Sequence, residues 1–381
     1  MASAHRKREA LVGCFSIVLL ATLLCAAVSH LVFAQAPGTD VVGSPAQQVV
    51  PSQIELDTLE TLPHYHPSQI VSGTIRLWGH GAPVLDFMGV LVKAWEDGFH
   101  KYQPGVRFEY DMYGTASAMG ALYSGAGDIA ILGQEIYPFE RSAFIRAKHY
   151  PPTIIEIATG SVDVRNFDFA IGVFVNRANP LTKLTVDQFS QIFAKQEPDG
   201  PDNIVRWGQL GLAGEWASRP IHLYGWRSDD VFSTFLQNAA LHGNHKWRCC
   251  MKEYTHIHRP DGTIYDSGQQ ILDDLSKDPA GIAVSNLRYV KDNAVKPLAL
   301  GRSPSGPFYD ATKQTLIARQ YPFVRIIPAV INRQPGHPVD PAVKEFLLYI
   351  LSKEGQGDIV RHGKYLPMSP ITAARERRKL Q

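Results

Sequence analysis

The sequence contains few cysteines, and this shortage already narrows how the protein can be stabilised. Only four of its 381 residues are cysteine, and two of these lie in an apolar N-terminal segment. The remaining two, Cys249 and Cys250, are too few for a disulfide scaffold. Apolar residues make up 45% of the chain, so we expect a hydrophobic core to provide the stability.

The chain also lacks a net charge once its N-terminal segment is set aside. Without residues 1–34, which carry three cationic side chains and one anionic side chain, 35 cationic residues face 35 anionic residues. A neutral chain offers little electrostatic attraction to nucleic acid or to an anionic membrane surface. We therefore expect no nucleic-acid partner.

Catalytic motifs are equally scarce. The sequence contains no G-x-S-x-G nucleophile elbow, no phosphate-cradling G-x-x-x-x-G-K-[ST] loop and no complete G-x-G-x-x-G. Gly79 and Gly81 begin the last pattern, but its third glycine is absent. We expect no enzymatic activity, no catalytic residue and no cofactor.

The N-terminus does contain an export pattern. The basic residues 5–8 precede an almost wholly apolar run from Leu11 to Val28, and residues 32–34 end in a small residue, Ala34. We predict a signal peptide at 1–34 that is cleaved after Ala34, and a periplasmic or other extracytoplasmic location. An uncleaved membrane anchor is the alternative, because the run approaches the length of a spanning helix.

Beyond this segment, the pattern changes from unstructured to alternating strand and helix. Apolar strands are predicted at 74–78 and 169–175, and Thr185 with Gln188 forms a capping box that begins a helix. This alternation predicts an α/β protein with two lobes, each a mostly parallel sheet flanked by helices. The predicted segments are a flexible linker at 35–71, lobe I at 72–166, lobe II at 167–321, a C-terminal return to lobe I at 322–372, and a basic tail at 373–381 interpreted as a solvated terminus.

Several segments in a fixed order carry a family resemblance, which extends over most of residues 73–370. They resemble the solute-binding proteins of phosphate ABC importers, which are type II periplasmic binding proteins. The resemblance implies two lobes joined by two crossing strands, a ligand cleft between them, inorganic phosphate or a related oxyanion as ligand, a monomeric state, and a membrane permease as partner. The segments are 169–193, Asp278-Pro279-Ala280-Gly281-Ile282-Ala283, Pro335-Gly336-His337-Pro338, Lys353-Glu354-Gly355-Gln356 and Tyr365-Leu366-Pro367-Met368.

The same resemblance implies four ligand-binding segments, and each follows a predicted strand. The carboxyl ends of strands are where open α/β sheets bind ligands. Backbone N–H groups at glycine turns and helix N-termini, together with one arginine, are suited to an anion. The candidate residues are His80, Gly81, Ala82, Thr115, Ser117, Gln134, Glu135, Arg227 and Ser228.

Each candidate side chain also has an ordinary structural interpretation. Arg227 can be a surface partner of Asp229 or of Asp230, and both acids can complement the dipole of the helix that follows. Thr115 and Ser117 can cap their helix. His80 can be a turn histidine, and Glu135 a solvated glutamate.

The sequence departs from the family where hydroxyl ligands are usual, so the identity of the anion stays open. His80 and Ala82 stand at one such place, and residues 231–233 stand where the family has Ser-Gly-Thr. A sensory or scaffolding relative that has lost transport is therefore an alternative function.

A metal-binding module at residues 242–258 is a further alternative. We expect no metal there, because the spacing matches no C-x-x-C or H-E-x-x-H site. The potential ligands in this loop are His242, His245, Cys249, Cys250, His256 and His258.

Overall fold

The computed structural model describes residues 50–80, 87–112, 114–162, 169–196, 200–241, 244, 246–290 and 293–381. The predicted signal peptide and the first part of the predicted linker lie outside these ranges, as do Gly81 and Ala82. Residues 48–381 form one compact unit. Within the described ranges, no helix is long and apolar enough to cross a membrane.

The described residues form an α/β structure in which helices and strands alternate along most of the chain. Helices α1 to α11 are Gln53–Glu60, Phe87–His100, Thr115–Ser124, Pro138–Lys148, Val186–Phe193, Val231–Ala239, Ser267–Leu275, Lys313–Ile317, Pro341–Ile350, Lys353–Asp358 and Pro370–Arg378. Strands β1 to β15 are Ser72–Gly79, Gly105–Asp111, Ile129–Ile131, Thr153–Thr159, Ile171–Asn176, Lys183–Thr185, His222–Trp226, Met251–Tyr254, Ile257–His258, Ile264–Tyr265, Gly281–Asn286, Val295–Pro297, Ala299–Gly301, Phe308–Tyr309 and Ile326–Ile331.

The first five-stranded sheet, the centre of lobe I, has the strand order β2-β1-β3-β15-β4. Strand β1 runs parallel to β2 and β3, whereas β15 runs antiparallel to β3 and β4. Helix α2 contributes an apolar stripe to this core, since Met88, Val92, Trp95 and Phe99 are all buried. Spacings of three and four residues place these side chains on one helix face.

The second five-stranded sheet, the centre of lobe II, has the order β12-β5-β11-β7-β8. Here β7 pairs in parallel with β11 and β8, while β5 runs antiparallel to β11 and β12. Both sheets are therefore mixed, with one parallel half each, rather than mostly parallel. The predicted capping box is confirmed, because Thr185 accepts a hydrogen bond from the backbone of Gln188 at the start of α5.

The chain passes between the two lobes twice, and the described residues that border the two passages lie side by side. Residues 163–168 of the first passage lie outside the described ranges. One apolar core includes Ala158 and Ile327, and the other includes Phe169 and Phe323. Between the passages, the backbone N–H of Ile171 donates to the carbonyl of Phe323 at 3.3 Å. The two connections are thus hydrogen-bonded to each other.

Part of the predicted linker is folded against lobe I. Helix α1 begins at Gln53, and Leu59, Leu62 and Tyr65 are buried. The Tyr65 hydroxyl donates to Glu345 at 2.7 Å. The prediction of a flexible linker is therefore wrong for residues 53–65, where scattered apolar residues dock onto the core.

The C-terminus is likewise packed rather than solvated. Glu376 in α11 is fully buried and forms ion pairs with Arg375 and Lys379 at 2.8 and 2.6 Å. It also accepts the backbone N–H of Glu156 at 2.9 Å. The interpretation of this basic segment as a solvated terminus is wrong, because its cations neutralise a buried carboxylate.

Candidate functional site

In lobe I, the ends of β1 and β3 meet at a close backbone contact. His80 N–H donates to the carbonyl of Ile131 at 2.8 Å, and Gly114 N–H donates to the carbonyl of Gly79 at 2.9 Å. A Cβ atom on Gly79 would lie 2.1 Å from the Ile131 oxygen, and the φ of Gly79 is +130°. Only glycine fits this position. The turn after β1 is therefore fixed against the neighbouring strand.

The ring of His80 is buried at this turn. Its Nε2 lies 2.8 Å from the hydroxyl of Tyr365 in the C-terminal return. A Cβ atom on Gly133 would lie 2.2 Å from His80 Nδ1, so the ring rests directly on the backbone after β3. These contacts support the interpretation of His80 as a structural histidine of the turn rather than a ligand-binding residue.

Thr115, the first residue of α3, also contacts the backbone after β3. Its hydroxyl accepts a hydrogen bond from the backbone N–H of Gly133 at 2.8 Å. Ser117 is exposed, and its hydroxyl donates to the Gly114 carbonyl at 3.0 Å, while Gln134 is half-buried. The structure thus brings together three of the predicted segments, around His80, Thr115 and Gly133.

Glu135 forms an ion pair that the sequence did not predict. Its two carboxylate oxygens accept hydrogen bonds from Nε of Arg325 at 3.0 and 3.2 Å, and one also accepts the N–H of Ile326 at 2.7 Å. The interpretation of Glu135 as a solvated glutamate is wrong. Arg325 was missed, although an arginine inside the apolar run 321–331 is itself a signal, since a buried charge requires a partner.

In lobe II, Arg227 directly follows β7 and is exposed. Its Nε donates to the carboxylate of Asp229, and this hydrogen bond lowers the pKa of Asp229. Asp230 caps α6 by accepting the N–H of Phe232 at 2.9 Å, and burial raises the pKa of Asp230. Asp230 thus lies at the N-cap of α6, directly before the first turn, where its charge complements the helix dipole. Arg227 has the surface ion pair that was its structural interpretation.

Ser228 contributes its backbone rather than a described side-chain contact. Its carbonyl accepts a hydrogen bond from Nε2 of Gln237 at 3.1 Å. This bond ties the turn after β7 to the body of α6.

The two lobes meet where α6 approaches the segment after β3. The Tyr137 hydroxyl donates to the Val231 carbonyl at 3.4 Å, and the guanidinium of Arg325 lies 4.7 Å from the ring centroid of Phe235. The N-terminal half of α6 therefore lies against residues 135–137. Arg227 lies four residues before Val231, on the turn that leads into α6.

The cysteine- and histidine-rich loop does not form a metal site in the described part of the chain. Cys249 and Cys250 are exposed free thiols, and Nδ1 of His256 accepts the N–H of Ser267 at 3.2 Å. Among the described residues, no group of three or more His, Cys, Asp or Glu side chains could bind a metal ion. His242 and His245 lie outside the described residues.

Comparison with known proteins agrees with this geometry. The chain is 28% identical to the phosphate-binding protein PstS of Pseudomonas aeruginosa over 320 residues, which is 84% of this chain and 90% of that protein. The crystal structure of PstS from Borrelia burgdorferi shares the fold, with a TM-score of 0.52 at 16% identity, over 78% of this chain and 99% of that one.

A possible phosphate-binding protein from Planctomyces limnophilus has a TM-score of 0.46 at 18% identity, over 81% of this chain and 98% of the other. A family model described as the PBP superfamily domain matches residues 84–354. These residues are well over half of the sequence, and the chain belongs to the PBP superfamily.

Proposed function

We propose that this protein is an extracytoplasmic solute-binding protein that captures phosphate, or a similar tetrahedral oxyanion, between its lobes and delivers it to an ABC importer. The observation that carries the proposal is the similarity to a phosphate-binding protein along 84% of the chain. The family match at residues 84–354 spans the second sheet and both passages between the lobes, as binding in a cleft requires.

The arrangement of strand ends supports an anion as ligand. The turn after β1, the start of α3 and the turn after β3 converge in lobe I. The N–H groups of His80, Gly114 and Gly133 bond protein oxygens there, so we propose the N–H groups at the N-terminus of α3 as the backbone donors to the oxyanion. Arg227 adds a cation with two parallel donors from lobe II. Closure of the lobes would exclude water and strengthen each of these contacts.

The exposed state of Arg227 suits this role. The Arg227–Asp229 pair is open to solvent, with 57% and 68% of the two side chains exposed. An exposed ion pair is only slightly more stable than the two hydrated charges. The guanidinium can therefore leave Asp229 and turn towards an incoming anion at a small cost in free energy.

Calorimetric titration of the mature protein with phosphate, sulfate, molybdate and small carboxylates tests the proposal. We expect one-to-one binding of phosphate or another tetrahedral anion, and no saturable binding of carboxylates. If no oxyanion binds, the proposal is overturned and a scaffolding or sensory role replaces it.

A further inference from the structure

A cavity lies in lobe II, and none of the candidate residues of the proposed anion site lines it. Its volume is about 570 Å³, which lies in the range of small-molecule sites. The β9–β10 hairpin, the start of α7 and the turn after β11 form the wall. The charged and aromatic side chains that line it are Arg259, Tyr265, Asp266, Asp273, Arg288 and Tyr289.

Two arginines in this cavity are positioned by aromatic rings. The guanidinium carbon of Arg259 lies 5.0 Å from the ring centroid of Tyr265, and that of Arg288 lies 4.9 Å from the ring of Tyr289. Cation–π contact at these distances restricts each guanidinium before any ligand arrives. Less side-chain entropy is then lost on binding.

Neither guanidinium is bonded to a carboxylate of the described residues. In the ranges that the structure describes, Arg259 and Arg288 form no ion pair and donate no side-chain hydrogen bond. Their N–H groups are therefore available to a ligand in the cavity.

The two carboxylates in the wall are engaged by other donors. Asp273 accepts hydrogen bonds from the Tyr265 hydroxyl and from Nε2 of Gln269, the latter at 2.7 Å. Asp266 caps α7 by accepting the N–H of Gly268 at 3.0 Å, and it also accepts the Tyr289 hydroxyl. Asp266 and Asp273 therefore accept hydrogen bonds from other residues of the wall, and the N–H groups of the two arginines remain available to a ligand.

We propose that this cavity binds an anion with two phosphoryl groups, one at Arg259 and one at Arg288. A guanidinium presents two parallel N–H donors that match two oxygens of a phosphoryl group. Two such donors in one cavity suit a diphosphate better than an anion with a single charged group. The inference goes beyond the proposed transport of an oxyanion and does not use Arg227.

The cavity nevertheless lies at the same edge of the second sheet as Arg227. Arg288 follows the end of β11 by two residues, Arg227 follows the end of β7 by one, and the two strands pair in parallel. A diphosphate could therefore also reach the proposed oxyanion site, and the experiment must separate the two sites.

Titration of inorganic diphosphate into the Arg227→Ala variant makes this separation. In this background we expect saturable binding that Arg259→Gln or Arg288→Gln weakens at least about tenfold. Arg288→Lys, which keeps the charge but loses the fork, should weaken binding to an intermediate degree. Arg107→Gln removes an exposed arginine from β2 in lobe I and should leave diphosphate affinity unchanged.

Absence of diphosphate binding to Arg227→Ala, or affinity that is insensitive to both cavity substitutions, would overturn the inference. The proposed oxyanion function fails under a different result, namely the absence of any oxyanion binding to the wild-type protein. Circular dichroism of each variant confirms that the fold is intact. Because Arg259 is exposed and Arg288 only half-buried, we expect both variants to fold.

Discussion

Two arginine–carboxylate pairs of the protein, Arg325–Glu135 and Arg227–Asp229, have sharply different surroundings. The side chain of Arg325 is 1% exposed and bonds Glu135, with the ring of Phe235 4.7 Å from its guanidinium. The side chain of Arg227 is 57% exposed and bonds Asp229, which is 68% exposed. The guanidinium of Arg325 thus lies in a nearly dry environment with its partner Glu135 24% exposed, whereas both members of the second pair lie in solvent.

This difference predicts different roles for the two pairs. Loss of one partner from a buried pair leaves an uncompensated charge in a medium of low polarity, which destabilises the fold strongly. An exposed pair exchanges with water at little cost, so its arginine can bind a ligand. We therefore assign Arg325 and Glu135 to stability and Arg227 to anion binding.

The largest expected effect concerns the buried pair. Glu135→Gln keeps an acceptor for the N–H of Ile326 but removes the charge that neutralises Arg325. We expect the free energy of unfolding to fall by about 2–4 kcal/mol, as measured by urea denaturation. Asp229→Asn is the matched control and should leave the midpoint unchanged. Equal urea midpoints for Glu135→Gln and the wild type would contradict the stabilising role of the Arg325–Glu135 pair.

The next effect concerns Arg227 itself. Arg227→Ala should weaken phosphate binding at least about tenfold, because the charge-assisted contact is lost. Arg227→Lys should weaken it less, since the charge remains without the fork. Calorimetric titration measures both variants. Arg219→Ala, which removes the partner of Glu215 in the same lobe, should bind as the wild type does.

A smaller effect is expected from the negative charge of Asp230, which lies near Arg227 in the sequence. Asp230→Asn keeps the helix cap, because the two residues cap equally well, but removes a negative charge beside the proposed anion. We expect phosphate affinity to rise by about two- to fivefold at neutral pH. Asp340→Asn makes the same substitution at the cap of α9 and should leave the affinity unchanged.

The pH dependence of this effect has a defined sign. Burial raises the pKa of Asp230, so its carboxyl protonates at a higher pH than an ordinary aspartate. As the pH falls through that raised pKa, the wild type also loses the charge, and the ratio of variant to wild-type affinity should fall to one. The raised pKa also means that ionised Asp230 lowers the stability of the native state, and that this penalty disappears as the pH falls. A ratio that is independent of pH would contradict the role of Asp230.

The smallest expected change is a compaction of the protein. The two chain passages, near residues 165–172 and 320–326, are proposed to act as a hinge. Phosphate should then decrease the radius of gyration in solution X-ray scattering. Unchanged scattering at saturating phosphate would indicate a rigid protein and favour a scaffolding role.

Much of the fold was predictable because its signals are local. Two such signals are the apolar stripe of helix α2 and the capping box of helix α5, each of which depends on residues close together in the sequence. They consist of Met88, Val92, Trp95 and Phe99, and of Thr185 and Gln188. Strand positions followed from short apolar runs in the same way. Periodicity of this kind reports burial directly.

What escaped prediction depends on contacts between distant residues. The Glu135–Arg325 pair joins residues separated by 190 positions. The direction of β15 within the first sheet follows from the path of the chain between the lobes. Helix α11 packs because its cations neutralise Glu376, although its sequence is strongly polar. In the candidate site, the strand ends were predictable, but the partners of His80 and Glu135 were not.

The most direct test of the two assigned roles is thermal unfolding of the wild type, Arg227→Ala and Glu135→Gln, each with and without phosphate. A ligand at 100 times its dissociation constant adds about 2.7 kcal/mol of stability. We expect Arg227→Ala to unfold at the wild-type temperature without phosphate and to gain much less from it. Glu135→Gln should unfold at a lower temperature and keep the full gain. A full phosphate gain in Arg227→Ala, or an unchanged unfolding temperature in Glu135→Gln, would contradict the assignment.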